Sequence, residues 1–129
     1  VMFGPAGFLY VYFTYGMHYC CNVVTGPEGH GEAVLIRAVQ PLEGEDSMAI
    51  HRGGRTGKEI SNGPAKVCQA LAIDGTMNAH FLADPPLELS MNEPLAEDSI
   101  GVSTRVGLSR GTDTPWRFFV KANPYVSKA

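Results

Sequence analysis

Four of the chain's five tyrosines fall within the run Tyr10-Val11-Tyr12-Phe13-Thr14-Tyr15-Gly16-Met17-His18-Tyr19. Aromatic and β-branched side chains suit a pleated surface, and Gly16 supplies the backbone freedom of a tight turn. The run therefore predicts two antiparallel strands that meet near Tyr15-Gly16. Successive strand side chains alternate faces, so Tyr10 and Tyr12 share one. Aromatics at this density suit either an ordinary hydrophobic strand pair or a platform for nucleobases, each stacked base being worth ~1–3 kcal/mol.

A chain of 129 residues fits a single domain spanning 1–129 and can bury roughly two-thirds of its unfolded surface. Apolar runs such as 33–36 are far too short to cross a bilayer, and the opening residues give no expectation of a secretory leader. No membrane partner is expected. The cysteines, Cys20, Cys21 and Cys68, are odd in number and form neither a zinc spacing nor a disulfide framework, which predicts a reducing, intracellular setting. His18 stands near Cys20 and Cys21, but neighbouring strand residues point to opposite faces and do not converge on one ion. Neither a metal nor a cofactor is expected.

The net charge of −3 argues against indiscriminate nucleic-acid binding, for which a basic domain is the usual footprint. The cations nevertheless gather in two zones. Arg52, Arg55 and Lys58 sit in a Gly-rich loop with Lys66 just beyond, and Arg105, Arg110, Arg117, Lys121 and Lys128 lie near the end. Either zone suits phosphates, or equally a scatter of solubilising charge.

After the hairpin, the turn-rich segment 25–31 leads to a third strand over 33–39, ended by Pro41. Residues 42–50 predict a brief helix and 52–62 a loop. Pro64 opens a helix over 65–73 that Gly75 closes. Pro85-Pro86 precedes a short strand at Leu87-Glu88-Leu89, and further strands are expected at 100–106 and 116–120. The class is mixed α/β: an antiparallel or mixed curved sheet with a few flanking helices and a protruding hairpin.

Two polar residues stand out against this frame. Arg37 interrupts the apolar strand Ala33-Val34-Leu35-Ile36-Arg37-Ala38-Val39, and a charge there needs a partner, a sheet edge or a polar cavity. Asn22 ends the aromatic run and offers both donors and an acceptor, suited to reading a base edge or to bonding the following turn. An aromatic face, a polar reader and a strand arginine together suggest a pocket for a flat heterocycle.

At this point the chain resembles the alkyladenine (3-methyladenine) DNA glycosylase family. The resemblance rests on Met2-Phe3-Gly4-Pro5 leading into Leu9-Tyr10-Val11-Tyr12 and Tyr15-Gly16-Met17, on Asn22, and on Val34-Leu35-Ile36-Arg37-Ala38 with Pro41-Leu42-Glu43-Gly44. It continues through Asn62-Gly63-Pro64, Lys66 and Cys68-Gln69-Ala70-Leu71, then Arg105-Val106-Gly107, Trp116-Arg117-Phe118 and Tyr125-Val126-Ser127. These blocks keep family order across nearly the whole chain.

The resemblance implies a monomeric base-excision repair enzyme that flips an alkylated or deaminated purine from double-stranded DNA and hydrolyses its bond to the sugar. Carried over by position, Tyr12 stacks on the extruded base, with Leu35 lining the pocket. Asn22 disfavours guanine through its exocyclic amino group. Tyr15 is the wedge that fills the gap in the duplex, flanked by Met17. Arg37 and the backbone carbonyl of Val106 help hold the attacking water, and Lys66 contacts a phosphate.

In that family the general base is a glutamate upstream of the Met2-Phe3-Gly4-Pro5 block, joined by a tyrosine and a histidine that complete the pocket. Residues 1–129 hold no counterpart: Glu28 and Glu32 border a Gly-rich loop, and Glu43 lies beyond the strand that carries Arg37. The chain thus resembles an N-terminally truncated enzyme, expected to be inactive alone. The alternative is a non-catalytic nucleic-acid module, prompted by the faint likeness of Gly7-Phe8-Leu9-Tyr10-Val11-Tyr12-Phe13 to an RNA-recognition strand. That motif expects a basic residue where Ala6 stands.

Overall fold

The tyrosine run forms the expected strand pair, β1 (Leu9–Thr14) and β2 (His18–Thr25), in a computed structural model that describes residues 2–14, 18–103 and 117–126. A third strand, β3 (Glu32–Leu35), pairs with the far side of β2, so the sheet runs β1-β2-β3 and is antiparallel throughout. The outer edge of β1 is covered as well. Leu9 donates its N–H to the His80 carbonyl at 2.8 Å, and the Val11 N–H donates to Asn78 Oδ1 at 2.9 Å. Edge groups satisfied this way are closed to pairing with another chain.

A second antiparallel pair, β4 (Ile100–Ser103) and β5 (Arg117–Val120), sets Gly101 opposite Phe119. The Phe119 ring lies so close over Gly101 that any side chain there would collide with it. The mixed α/β class and the antiparallel strands follow the sequence expectation, with the strands divided between two sheets.

Two short helices complete the frame, α1 (Glu45–His51) and α2 (Pro64–Ala70). Pro64 occupies the first turn of α2, where its missing N–H has no helical partner to lose. The helix packs on one face of the sheet. Leu9, Val11 and Cys21 from the strands meet Val67 and Cys68 from α2, with Ile73 and Leu82 closing the cluster. Burying one such aliphatic side chain is worth roughly 1.5–3 kcal/mol, so this contact fixes helix to sheet. A smaller cluster of Met48, Ile60 and Ala70 joins α1 to α2.

The structure corrects several expected boundaries. Residues 36–39 leave the ladder after the Ile36 N–H bonds the Cys21 carbonyl, because Val39 turns to bond Ser61 instead of extending β3. Residues 87–89 form no strand; the Leu89 N–H bonds the Leu82 carbonyl within an irregular segment. The first helix begins at Glu45, after Gly44 in the left-handed region, and α2 ends well before Gly75.

At that end Ala72 adopts φ 55°, and the Ile73 N–H reaches the Cys68 carbonyl at 2.8 Å while the Ala72 N–H bonds Gln69. This is a Schellman motif, with Ile73 buried just past it as its hydrophobic partner. An L-residue pays a steric cost of about 1–2 kcal/mol in this conformation, whereas glycine does not. Ala72→Gly should therefore stabilise the fold by about 0.5–1 kcal/mol, after the greater flexibility of unfolded glycine is allowed for. Denaturant midpoints will show this; a lower midpoint for the variant would contradict the assigned helix end.

Candidate functional site

Strand register sorts the hairpin residues onto two faces. Leu9, Val11 and Cys21 point into the core. On the opposite face Tyr10 stands across from Asn22, which stands across from Leu35, and one step along Tyr12 stands across from Cys20. Arg37 follows Leu35 by two residues, and its charge acts on the Cys20 thiol. The structure thus sets Tyr12, Asn22 and Leu35 on one face of the sheet, with Arg37, just past the end of β3, near enough for its charge to act on Cys20.

The face is part wall and part opening. Tyr12 is 37% exposed, and its ring tilts 39° against Tyr10 with centroids 5.5 Å apart. Asn22 is buried in the middle of β2, where its Nδ2 donates to the Tyr10 carbonyl at 3.2 Å. It therefore bonds across the hairpin and not to the following turn. That bond orients the amide between an aromatic and an aliphatic neighbour. Arg37 and Leu35 are half-buried.

Cys20 was not singled out by sequence as part of this face, yet it lies at its centre. Burial pushes its thiol up, while a hydrogen bond from the Tyr12 hydroxyl and the charge of Arg37 draw it partly back. On the core side Cys21 meets Cys68. The hydrogen bond with Cys21, reinforced by burial, holds the Cys68 thiol strongly up. Among the described residues no group of histidines, cysteines and carboxylates could hold a metal ion.

The connection from the sheet to α2 is equally specific. Ser61, fully buried, donates its hydroxyl to the Val39 carbonyl at 2.6 Å and accepts the Val39 N–H at 3.2 Å. One residue on, Asn62 Oδ1 accepts from Lys66 Nζ at 2.7 Å. Lys66 is half-buried at the start of α2, its ammonium directed back toward Asn62, two residues before the helix begins. No periodicity marks Ser61, so only the structure reveals this link.

Two cations considered for phosphate contact serve the fold instead. Arg52 is buried: its Nε donates to the Ile60 carbonyl at 3.2 Å, its Nη2 to the Glu59 carbonyl at 3.3 Å, and its Nη1 to Gln69 Oε1. Burial lowers its pKa, with Arg55 adding to the effect and Glu59 opposing it. Arg117 is buried too, bonded to Ser103 Oγ at 3.2 Å with its guanidinium 4.9 Å from the Phe119 ring centroid. Tyr15, Met17 and Val106 lie outside the described residues, as do Arg105, Arg110 and Lys128.

A tyrosine and an amide on one sheet face, with an arginine just past its edge strand and the core behind them, make an arrangement suited to proteins that handle nucleobases. Comparison with known proteins narrows the class. The family model described as methylpurine-DNA glycosylase matches residues 1–124. A protein of Carboxydothermus hydrogenoformans named "Putative 3-methyladenine DNA glycosylase" is 54% identical over 129 residues, covering 99% of this chain and 68% of its own length. Proteins of the same name from Methanoculleus marisnigri and Agrobacterium fabrum are each 47% identical. They cover 99% and 98% of this chain, and 68% and 63% of their own lengths. The chain belongs to the methylpurine-DNA glycosylase family, DNA-repair hydrolases that act on the bond joining base to sugar.

Burial of all three cysteines gives a direct check. A thiol reagent such as 5,5′-dithiobis(2-nitrobenzoate) should react slowly with the native protein and rapidly with the full complement after denaturation. Fast stoichiometric reaction of the folded protein would contradict the packing of Cys20 behind Tyr12 and of Cys21 against Cys68.

Proposed function

We propose that the chain recognises an alkylated or deaminated purine turned out of duplex DNA, using the sheet face opposite its core. The observation that carries this reading is the shared face of Tyr12, Asn22 and Leu35, with Arg37 following β3 close enough for its charge to act on Cys20 in that face. Tyr12 stacks on the base, and the positive charge of an alkylated purine strengthens the contact. Asn22, its NH₂ already engaged by Tyr10, lies against the purine edge and selects against the exocyclic amino group of guanine. Leu35 lines the pocket, Tyr15 wedges the duplex with Met17 beside it, and Lys66 meets a phosphate.

In hydrolysis a water attacks the sugar carbon as the bond to the base breaks, and its proton passes to a base. Arg37 and the Val106 carbonyl position that water. The carboxylate that accepts the proton is assigned to a segment outside residues 1–129, and general-base catalysis of this kind contributes a factor of ~10²–10⁴. The protein is read as a monomer that works inside the cell, where its DNA substrate lies. An RNA-recognition role fits less well, because the Phe8 ring already packs on Phe81 at 4.9 Å and Ala6 stands where that motif has a basic residue.

The reading is tested with a duplex that carries ethenoadenine or hypoxanthine and a matched undamaged duplex. The protein should prefer the lesion, and Tyr12→Ala should lose about 1–3 kcal/mol of that preference, roughly 5- to 150-fold. Residues 1–129 assayed alone should bind without releasing a base. Equal affinity for both duplexes would contradict the recognition role, and free base released by these residues alone would contradict the placement of the carboxylate.

A further inference from the structure

The loop between α1 and α2 holds a cluster of cations that the recognition face does not use. We propose that Arg55 and Lys58 form a second contact with the DNA phosphate backbone, distinct from that of Lys66. This inference rests on the glycosylase reading and adds a binding surface to it.

Four cations, Arg52, Arg55, Lys58 and Lys66, stand within fifteen residues of a chain whose net charge is −3, with Glu59 the one carboxylate among them. The structure separates their roles. Arg52 is buried and spends its guanidinium on the Ile60 and Glu59 carbonyls and on Gln69, which pins the foot of the loop to α2. Arg55 and Lys58 remain exposed. Arg55 is lightly held, through one long bond of 3.4 Å to the Arg52 carbonyl. A buried, fully bonded arginine beneath two exposed cations is the layout of a supported binding loop.

The backbone agrees with that layout. Gly53, Gly54 and Gly57 have φ of 69°, 91° and 72°, and nothing lies within 4 Å of the position a side chain would take at any of them. Crowding therefore does not call for these glycines; the left-handed conformation does. Bonds from the Gly53 N–H to Ile50 and from the Gly54 N–H to Ala49 fix the start of the turn. The loop is shaped, open to solvent and positively charged.

Its position favours the same ligand. The loop runs into Ile60 and Ser61, and Ser61 docks on Val39 two residues past Arg37; Asn62 then bonds Lys66. The cations are thus tied through a few hydrogen-bonded residues both to the end of the recognition face and to the proposed phosphate-contacting lysine. An acidic protein approaching a polyanion needs such a local positive zone to offset overall repulsion.

Each phosphate neutralised contributes about −0.9 to the slope of log K against log salt on duplex DNA. Binding of the protein to an ethenoadenine duplex and to a matched undamaged duplex, followed by fluorescence anisotropy in KCl, reads this slope. For the Arg55→Ala/Lys58→Ala double variant the slope should be shallower by about 1.8 on both duplexes. The wild-type advantage should then shrink roughly tenfold between about 50 and 200 mM salt. Because phosphate contacts carry no sequence information, lesion preference should be unchanged. A slope equal to wild type, or a loss confined to the lesion duplex, would overturn this inference and leave the proposed function standing. Failure of the wild-type protein to bind either duplex would overturn both.

Discussion

The structure depends on the register of β1 against β2. Side chains alternate along a strand with a period of two, so one choice of pairing places Tyr12, Cys20 and Asn22 on one face and Val11 and Cys21 on the other. A slip of one residue would exchange the two sets, burying the tyrosine hydroxyl and the asparagine amide among aliphatic groups. Packing of Val67 and Cys68 of α2 against Val11 and Cys21 opposes that slip. The hydrophobic core therefore determines which residues the sheet presents on its opposite face.

From this constraint the supporting contacts follow. Once α2 is seated on the core face, the segment before it must cross from the sheet to the helix, and the paired bonds between Ser61 and Val39 fix where it crosses. Arg52 closes the loop before α2 on the Glu59 and Ile60 carbonyls, the second of which belongs to a buried residue whose oxygen needs a donor. At the other edge of the sheet, Asn78 supplies the acceptor that Val11 lacks on its outer side. Of these polar residues, Asn78 completes the hydrogen bonding of β1, the strand that carries Tyr12, while Ser61 and Arg52 fix the path from the sheet to α2.

The face that carries Tyr12 and Asn22 was legible in the sequence because its signal is local. Alternation alone puts Tyr10 and Tyr12 together, and the family resemblance supplies roles for Asn22, Leu35 and Arg37. Comparison with relatives bears out the family, while the individual roles remain what the resemblance and the proposed function assign. What escaped sequence reading depends on distant partners. Nothing in His51-Arg52-Gly53-Gly54-Arg55 says which arginine turns inward, since that depends on carbonyls seven and eight residues away. The nearest glycine suggested a helix end at Gly75, but burial of Ile73 stops the helix earlier and makes Ala72 adopt the left-handed turn. The expected strand over 33–39 is cut to Glu32–Leu35 because Val39 has a partner across the fold that alternation cannot reveal.

The account's central claim is that the face of the sheet opposite the core receives the flipped base. The most direct measurement is side-chain NMR of the protein titrated with lesion-bearing and undamaged duplexes, following the Tyr12 ring and the Asn22 amide. Both sets of resonances should shift with the lesion duplex and stay nearly unchanged with the undamaged one, while core groups such as the Val67 methyls move little in either case. Tyr12 and Asn22 resonances that respond identically to the two duplexes, or not at all while lesion binding is otherwise evident, would contradict the claim.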